Sequence, residues 1–152
     1  MLRISKLTDY GTVVMAYLAS NPGIAHNAKD IAQSTHIAVP TVSKLLKLLT
    51  RGGLLTGQRG SKGGYTLALP TENISLADIL YAIEGSEIAL TECSHSKGLC
   101  AMETLCTMRS NWHSISNALR DTLSKISLIE MTKPIVTQHI QQHFKQDILR
   151  SN

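Results

Sequence analysis

Residues Val39 to Pro70 read "VPTVSKLLKLLTRGGLLTGQRGSKGGYTLALP". The period of the apolar residues changes partway along this stretch. Val42, Leu45, Leu46 and Leu49 recur at i, i+3, i+4 and i+7, one face of a helix. Pro40 suits the first turn, where a missing N–H costs no hydrogen bond, and Gly52-Gly53 ends the helix. Pro40, Lys44, Lys47 and Arg51 share the opposite stripe. Leu54-Leu55-Thr56 and Tyr65-Thr66-Leu67-Ala68-Leu69 then predict two short strands around a glycine-rich turn, closed by Pro70.

Upstream, two more helices are expected. The first starts near Thr8, taken as its N-cap, and stops before "NPG" at Asn21 to Gly23; Tyr10, Val13, Val14, Tyr17 and Leu18 share a face. The second runs from a cap at Asn27 to Thr35. Small Ala32 allows a close crossing with the next helix, and Ile37 adds packing. His36 stands in the turn, where glycine is usual; histidine is among the better-tolerated residues at positive φ. Downstream, Ser75 opens a fourth helix with Asp78 at capping-box spacing, and Gly85 ends it. A long helix follows from about Met108 to Ser127, roughly 30 Å at 1.5 Å per residue. Its stripe of Met108, Trp112, Ile115, Leu119 and Leu123 or Thr122 needs cover, and a second copy of the chain is the economical cover. The tail from Pro134 to Asn152 is expected to add a helix, with Val136, Ile140, Phe144 and Ile148 apolar.

The chain has 152 residues, 43% of them apolar and 4% aromatic, so its core is built from Leu, Ile, Val and Ala. No apolar run approaches the ~20 residues of a membrane helix. "TVVMAYLAS" after Arg3 and Lys6 faintly resembles a signal peptide, but Asp9 interrupts the lead-in and the residues fit an amphipathic helix. A cytoplasmic location is expected. Net charge is +4, unevenly spread. Between Asp30 and Glu72 there is no acidic residue, and Lys44, Lys47, Arg51, Arg59 and Lys62 give that stretch +5, leaving −1 elsewhere.

Helix, turn, helix and hairpin in this order predict a mainly α winged helix-turn-helix, and the acid-free stretch coincides with its recognition helix and wing. Double-stranded DNA is the expected partner. Thr41, Ser43, Lys44 and Lys47 are the candidate contacts on the helix, first turn to base edges and later lysines to phosphate. On the wing the candidates are Arg59, Ser61, Lys62, Gly63 and Tyr65; an arginine in a narrow minor groove gains from its stronger negative potential.

All three cysteines, Cys93, Cys100 and Cys106, lie in "TECSHSKGLCAMETLC", separated by six and five residues. An odd count argues against a secreted disulfide framework. Soft thiolates suit an iron–sulfur cluster, zinc or copper(I), on a loop that Gly98 helps to turn. A structural zinc site and redox-active thiols are the other readings. A cysteine nucleophile with His95 or His113 as base is conceivable, but no phosphate loop or HExxH pair accompanies it, so no enzyme is expected. His26, His139 and His143 are read as surface residues.

Together, "ISKLTDYG", "VPTVSKLLKLL", "RGSKGGYTLALP", "ISLADIL" and the three-cysteine loop resemble the Rrf family of bacterial winged-helix regulators, over about Met1 to Met131. "MLRISKLTDY" and "IALTECS" are most similar to its regulators of SUF-type cluster assembly. The resemblance implies a homodimer joined by the long helix, binding palindromic promoter DNA, with Cys93, Cys100 and Cys106 as ligands of a 2Fe-2S or 4Fe-4S cluster supplied by the iron–sulfur assembly machinery. Arg109 stands where IscR-like members place a histidine. Glu92, His95, Glu103 and His113 are local candidates for a fourth ligand; Asp9 of the partner subunit matches the aspartate of NsrR-like members and is the expected one. The implied layout is a DNA-binding domain over 1–87, a cluster loop over 88–107 and a dimerisation helix with extension over 108–152. The implied function is a cluster-sensing repressor of suf-type genes; a nitric-oxide- or redox-responsive repressor of other genes, or a zinc or thiol regulator, are the alternatives.

Overall fold

The computed structural model describes residues 3–60, 63–86, 88–96 and 98–133. The expected tail helix therefore lies outside the described residues, as do Ser61, Lys62, His139 and His143.

Three helices come first: α1 (Lys6–Ala19), α2 (Ala28–Thr35) and α3 (Val39–Arg51). The N-cap of α1 is Ser5, which accepts from the Thr8 amide at 3.1 Å. Thr8 is fully buried inside the first turn, so the cap expected at Thr8 is corrected by one turn. Both side chains are cap-competent, and a distant carboxylate decides between them. Ser5 Oγ donates to Glu84 Oε1 at 2.6 Å, and the Thr8 hydroxyl donates to the same oxygen. Burial would leave the Thr8 hydroxyl costly without that acceptor. Local sequence carries no sign of Glu84, 76 residues away.

Asn27 caps α2 as expected, accepting from the Lys29 and Asp30 amides at 2.9 and 3.0 Å. His36 closes α2 in the left-handed region at φ 57°, which aims the chain back into α3. The inner face of α3, Val42, Leu45, Leu46 and Leu49, has no exposed surface. Each such side chain contributes about 1.5–3 kcal/mol by leaving water.

The wing is β1 (Leu55–Gln58) and β2 (Gly64–Leu67), antiparallel, with Leu55 opposite Leu67 and Gln58 opposite Gly64. Both strands sit close to their expected positions. A 3₁₀ turn over Thr71–Asn73 leads to α4 (Leu76–Glu84), which has the expected Ser75–Asp78 capping box and the Gly85 stop at φ 72°. Gly11 lets α1 lie close on α4, since a Cβ there would collide with Ile83 Cδ1.

The remaining helices are α5 (Glu92–His95), α6 (Arg109–Ser124) and α7 (Leu128–Met131). The expected long helix is α6. The return of the chain after it was not foreseen. Leu76 N–H donates to the Ile126 carbonyl and Leu128 N–H to the Ile74 carbonyl, each at 2.8 Å, around a Ser75–Ser127 bridge. Leu128 is thereby fully buried with Val14, Met15, Ile31, Leu45, Ile79 and the rest of the one core. His26 is a second correction. It is half-buried, with Nε2 enclosed, and is not a surface residue. Four residues make α7 too short for periodicity to reveal.

Leu128→Ala should lower unfolding free energy by about 2–5 kcal/mol, the cost of truncating a buried leucine. Urea titration measures this, and a loss below about 1 kcal/mol would show that the segment after α6 does not brace the DNA-binding core.

Candidate nucleic-acid interface and cysteine loop

The buried face of α3 dictates what its other face offers. Lys44, Lys47 and Arg51 are exposed, while Thr41 and Ser43 are half-buried on its flank. Arg59 is exposed at the end of the described wing. None of the four cations is ion-paired among the described residues. Unneutralised cations on one helix and the adjoining hairpin are what a phosphate backbone requires. At the wing turn, Gly63 N–H donates to the Gly60 carbonyl at 2.9 Å. Tyr65 is different in kind. It is packed against the core from the wing's base, and Gly57 sits close to its ring.

The cysteine loop hangs between α4 and α6. Cys93, on α5, is buried, and the Thr91 hydroxyl lies 3.3 Å from its Sγ. Cys100 and Cys106 are half-buried. The loop's entry is pinned where the Leu90 amide donates to Ser116 Oγ at 3.2 Å, Ser116 being buried on α6. Its middle is closed by Glu103. One carboxylate oxygen accepts from the Gly98 amide at 2.5 Å and the other pairs with Arg109 at 2.7 Å. Glu103 thus spans the segment that carries Cys100 and Cys106, and both its oxygens are engaged. Gly98 takes φ 84°, a left-handed turn suited to glycine. Sequence reading weighed Glu103 only as a ligand and did not find the clasp. The one signal was an acid and an arginine six positions apart. Ser116 left no signal.

Three soft thiolates in one loop fit the donor chemistry of an iron–sulfur or other thiophilic centre. Their placement is not a preformed cage: among the described residues, no group of three or more His, Cys, Asp or Glu is placed to hold a metal ion. Glu92 and His95 are exposed, and His113 is half-buried within α6. Asp9 is exposed on α1, and its carboxylate has no hydrogen-bond or ion-pair partner among the described residues. A large apolar surface adjoins the loop. Leu99, Met102, Leu105, Met108, Trp112 and Ile115 are all exposed, more than a lone soluble chain usually leaves in one region.

A helix-turn-helix with a two-stranded wing, cations on its outer face and no membrane-length apolar helix among the described residues defines a winged-helix DNA-binding regulator. The chain belongs to the Rrf2 family, whose model, described as an iron-dependent transcriptional regulator, matches residues 4–134. It is 29% identical over 133 residues to Protein rrf2 of Nitratidesulfovibrio vulgaris, covering 87% of this chain and 88% of that one. Among solved structures it is similar to CymR, the global cysteine regulator of B. subtilis, at TM-score 0.67 and 28% identity over 87% of this chain and 97% of the other. It is also similar to T. potens IscR, at TM-score 0.62 and 26% identity over 86% and 85%. As a member of a family of transcriptional regulators the chain is not an enzyme, and the cysteine-nucleophile reading falls away.

Glu103→Gln keeps the shape of the clasp and removes its charge. Amide exchange at Gly98 should rise several-fold, with global stability falling by no more than about 1 kcal/mol, the range of exposed ion pairs. Unchanged exchange at Gly98 would show that the clasp does not hold the loop.

Proposed function

We propose that this regulator is a homodimeric, cytoplasmic repressor that senses an iron–sulfur cluster and controls suf-type assembly genes. The observation that carries this reading is the confinement of all three cysteines to one loop fastened to α6. Membership in a family described as iron-dependent supports it. A bound 2Fe-2S or 4Fe-4S cluster, delivered by the assembly machinery, supplies the signal through its presence or loss. Cys93, Cys100 and Cys106 would hold it. The thiols need a reducing compartment, which accords with the cytoplasm.

The chain's own residues do the rest. The apolar stripe of α6, from Met108 through Trp112 and Ile115 to half-buried Leu119 and Leu123, forms the dimer contact with a second copy. Asp9 of the partner subunit completes the ligand set. Its free carboxylate supports that role, and a hard oxygen ligand leaves its iron more exchangeable than a fourth thiolate would. Thr41, Ser43, Lys44 and Lys47 read the major groove of promoter DNA, and the wing, with Arg59, Ser61, Lys62 and Gly63, reaches the backbone or minor groove, braced by Tyr65. Because the loop and the DNA-binding core both attach to α6, closing the loop around a cluster bears on the spacing of the two recognition helices.

A second reading is a zinc- or thiol-based regulator without a cluster. It is favoured by the similarity to a global cysteine regulator.

Anaerobically purified chain should be brown, with stoichiometric iron and sulfide, and Asp9→Ala should shift the spectrum or shorten the cluster's lifetime while the fold stays intact. Colourless protein with one zinc per chain establishes the second reading. A cluster indifferent to Asp9→Ala makes Asp9 only a favourable charge near the start of its helix, worth ~0.3–1 kcal/mol.

Lys44→Ala and Arg59→Ala should weaken binding to a duplex selected by the native chain from a random-sequence pool. A lost phosphate contact lowers the salt slope by about one, and a lost base contact costs about 1–3 kcal/mol. Normal binding by both variants would remove this face from the DNA interface.

A further inference from the structure

Recognition helix and wing must meet the duplex together, yet the wing is only two strands of four residues. A two-stranded ribbon is marginal in water by itself. Its base is tied to the loop ahead of α2 through one residue, His26. His26 N–H donates to the Tyr65 carbonyl at 3.1 Å, and Tyr65 N–H donates to the His26 carbonyl at 2.9 Å. These two bonds make an antiparallel bridge that extends the sheet beyond its two strands. Gly64 is pressed on the same peptide, where a Cβ would lie 2.8 Å from the carbonyl carbon and oxygen of His26.

The imidazole of His26 is held from its other side. Nδ1 lies 3.2 Å from the Tyr17 hydroxyl oxygen on α1, and the two rings meet edge to face with centroids 5.1 Å apart. Ser34 of α2 donates to the same hydroxyl oxygen at 3.4 Å. The Tyr17 hydroxyl and Nδ1 thus share one hydrogen bond, and the imidazole tautomer sets which of them donates. Nε2 is buried and has no partner among the described residues. An apolar side chain would fill this space without leaving a buried polar nitrogen unsatisfied. What the imidazole adds is Nδ1, a hydrogen-bonding atom aimed at α1, on a backbone paired with the wing.

We infer that His26 is the positioning residue of the wing, joining α1, α2 and β2 so that Arg59 reaches DNA at a set angle to α3. This rests on the reading that the wing touches DNA. His26 itself acts only through Tyr65 and Gly64.

The test is a double-mutant cycle on the full chain, with the selected duplex as probe. Arg59→Ala in the native background should weaken binding roughly five- to hundredfold, the range for one good contact. With His26→Leu already present it should cost less than about twofold. His26→Asn, which sets a hydrogen-bonding amide near the place of Nδ1, should restore most of the Arg59 contribution. Helical content should stay unchanged throughout. Equal losses in both backgrounds overturn the inference. No loss from Arg59→Ala in the native background overturns the wing reading and the inference with it. If His26→Leu does not fold, Tyr17→Phe, which removes one hydroxyl, takes its place in the cycle, and additivity there is equally fatal.

Discussion

Complete burial of one side of α3 is the constraint on which the molecule depends. Four apolar side chains on that side reach zero exposure, and a helix so fixed in rotation has no choice about its outer side. Lys44, Lys47 and Arg51 are held outward because Val42, Leu45, Leu46 and Leu49 are held inward. A rotation that buried one lysine would expose a leucine and desolvate a charge at once, and both changes are unfavourable. Specific recognition begins with this rigidity, since base contacts require side chains whose origins do not wander.

Features governed by neighbours in sequence were legible before any coordinates. The period of α3, the Asn27 cap, the Ser75–Asp78 box, the Gly85 stop and the left-handed His36 all follow from residues within one turn of each other. The wing's two strands followed from the change of period. Features governed by distant partners were not legible. Ser5 and Thr8 compete for one cap, and a carboxylate at Glu84 settles the outcome. His26 looked like a solvent-facing histidine because its partners lie on α1 and β2. The short helices α5 and α7 have too few residues to show a period.

The same division runs through the cysteine loop. Its three thiols, their spacing and the turn at Gly98 could be read directly. The anchors that fold it could not: Ser116 holding the Leu90 amide, and Glu103 bridging Gly98 to Arg109. Both attach the loop to α6, so the loop and the helix form one mechanical unit. Its leucines and methionines Leu99, Met102, Leu105 and Met108 are exposed.

That unit is also clamped at its far end. After α6 the chain turns back, and the Leu76–Ile126 and Leu128–Ile74 hydrogen bonds stitch it into the base of α4, with Leu128 sunk in the core. A helix held at one end only could swivel and dissipate whatever happened along it. Fastened near its middle by Ser116 and beyond its end by Leu128, α6 behaves as a beam with two fixed supports. The cysteine loop and the DNA-binding core are therefore fastened to the same helix at two separate places.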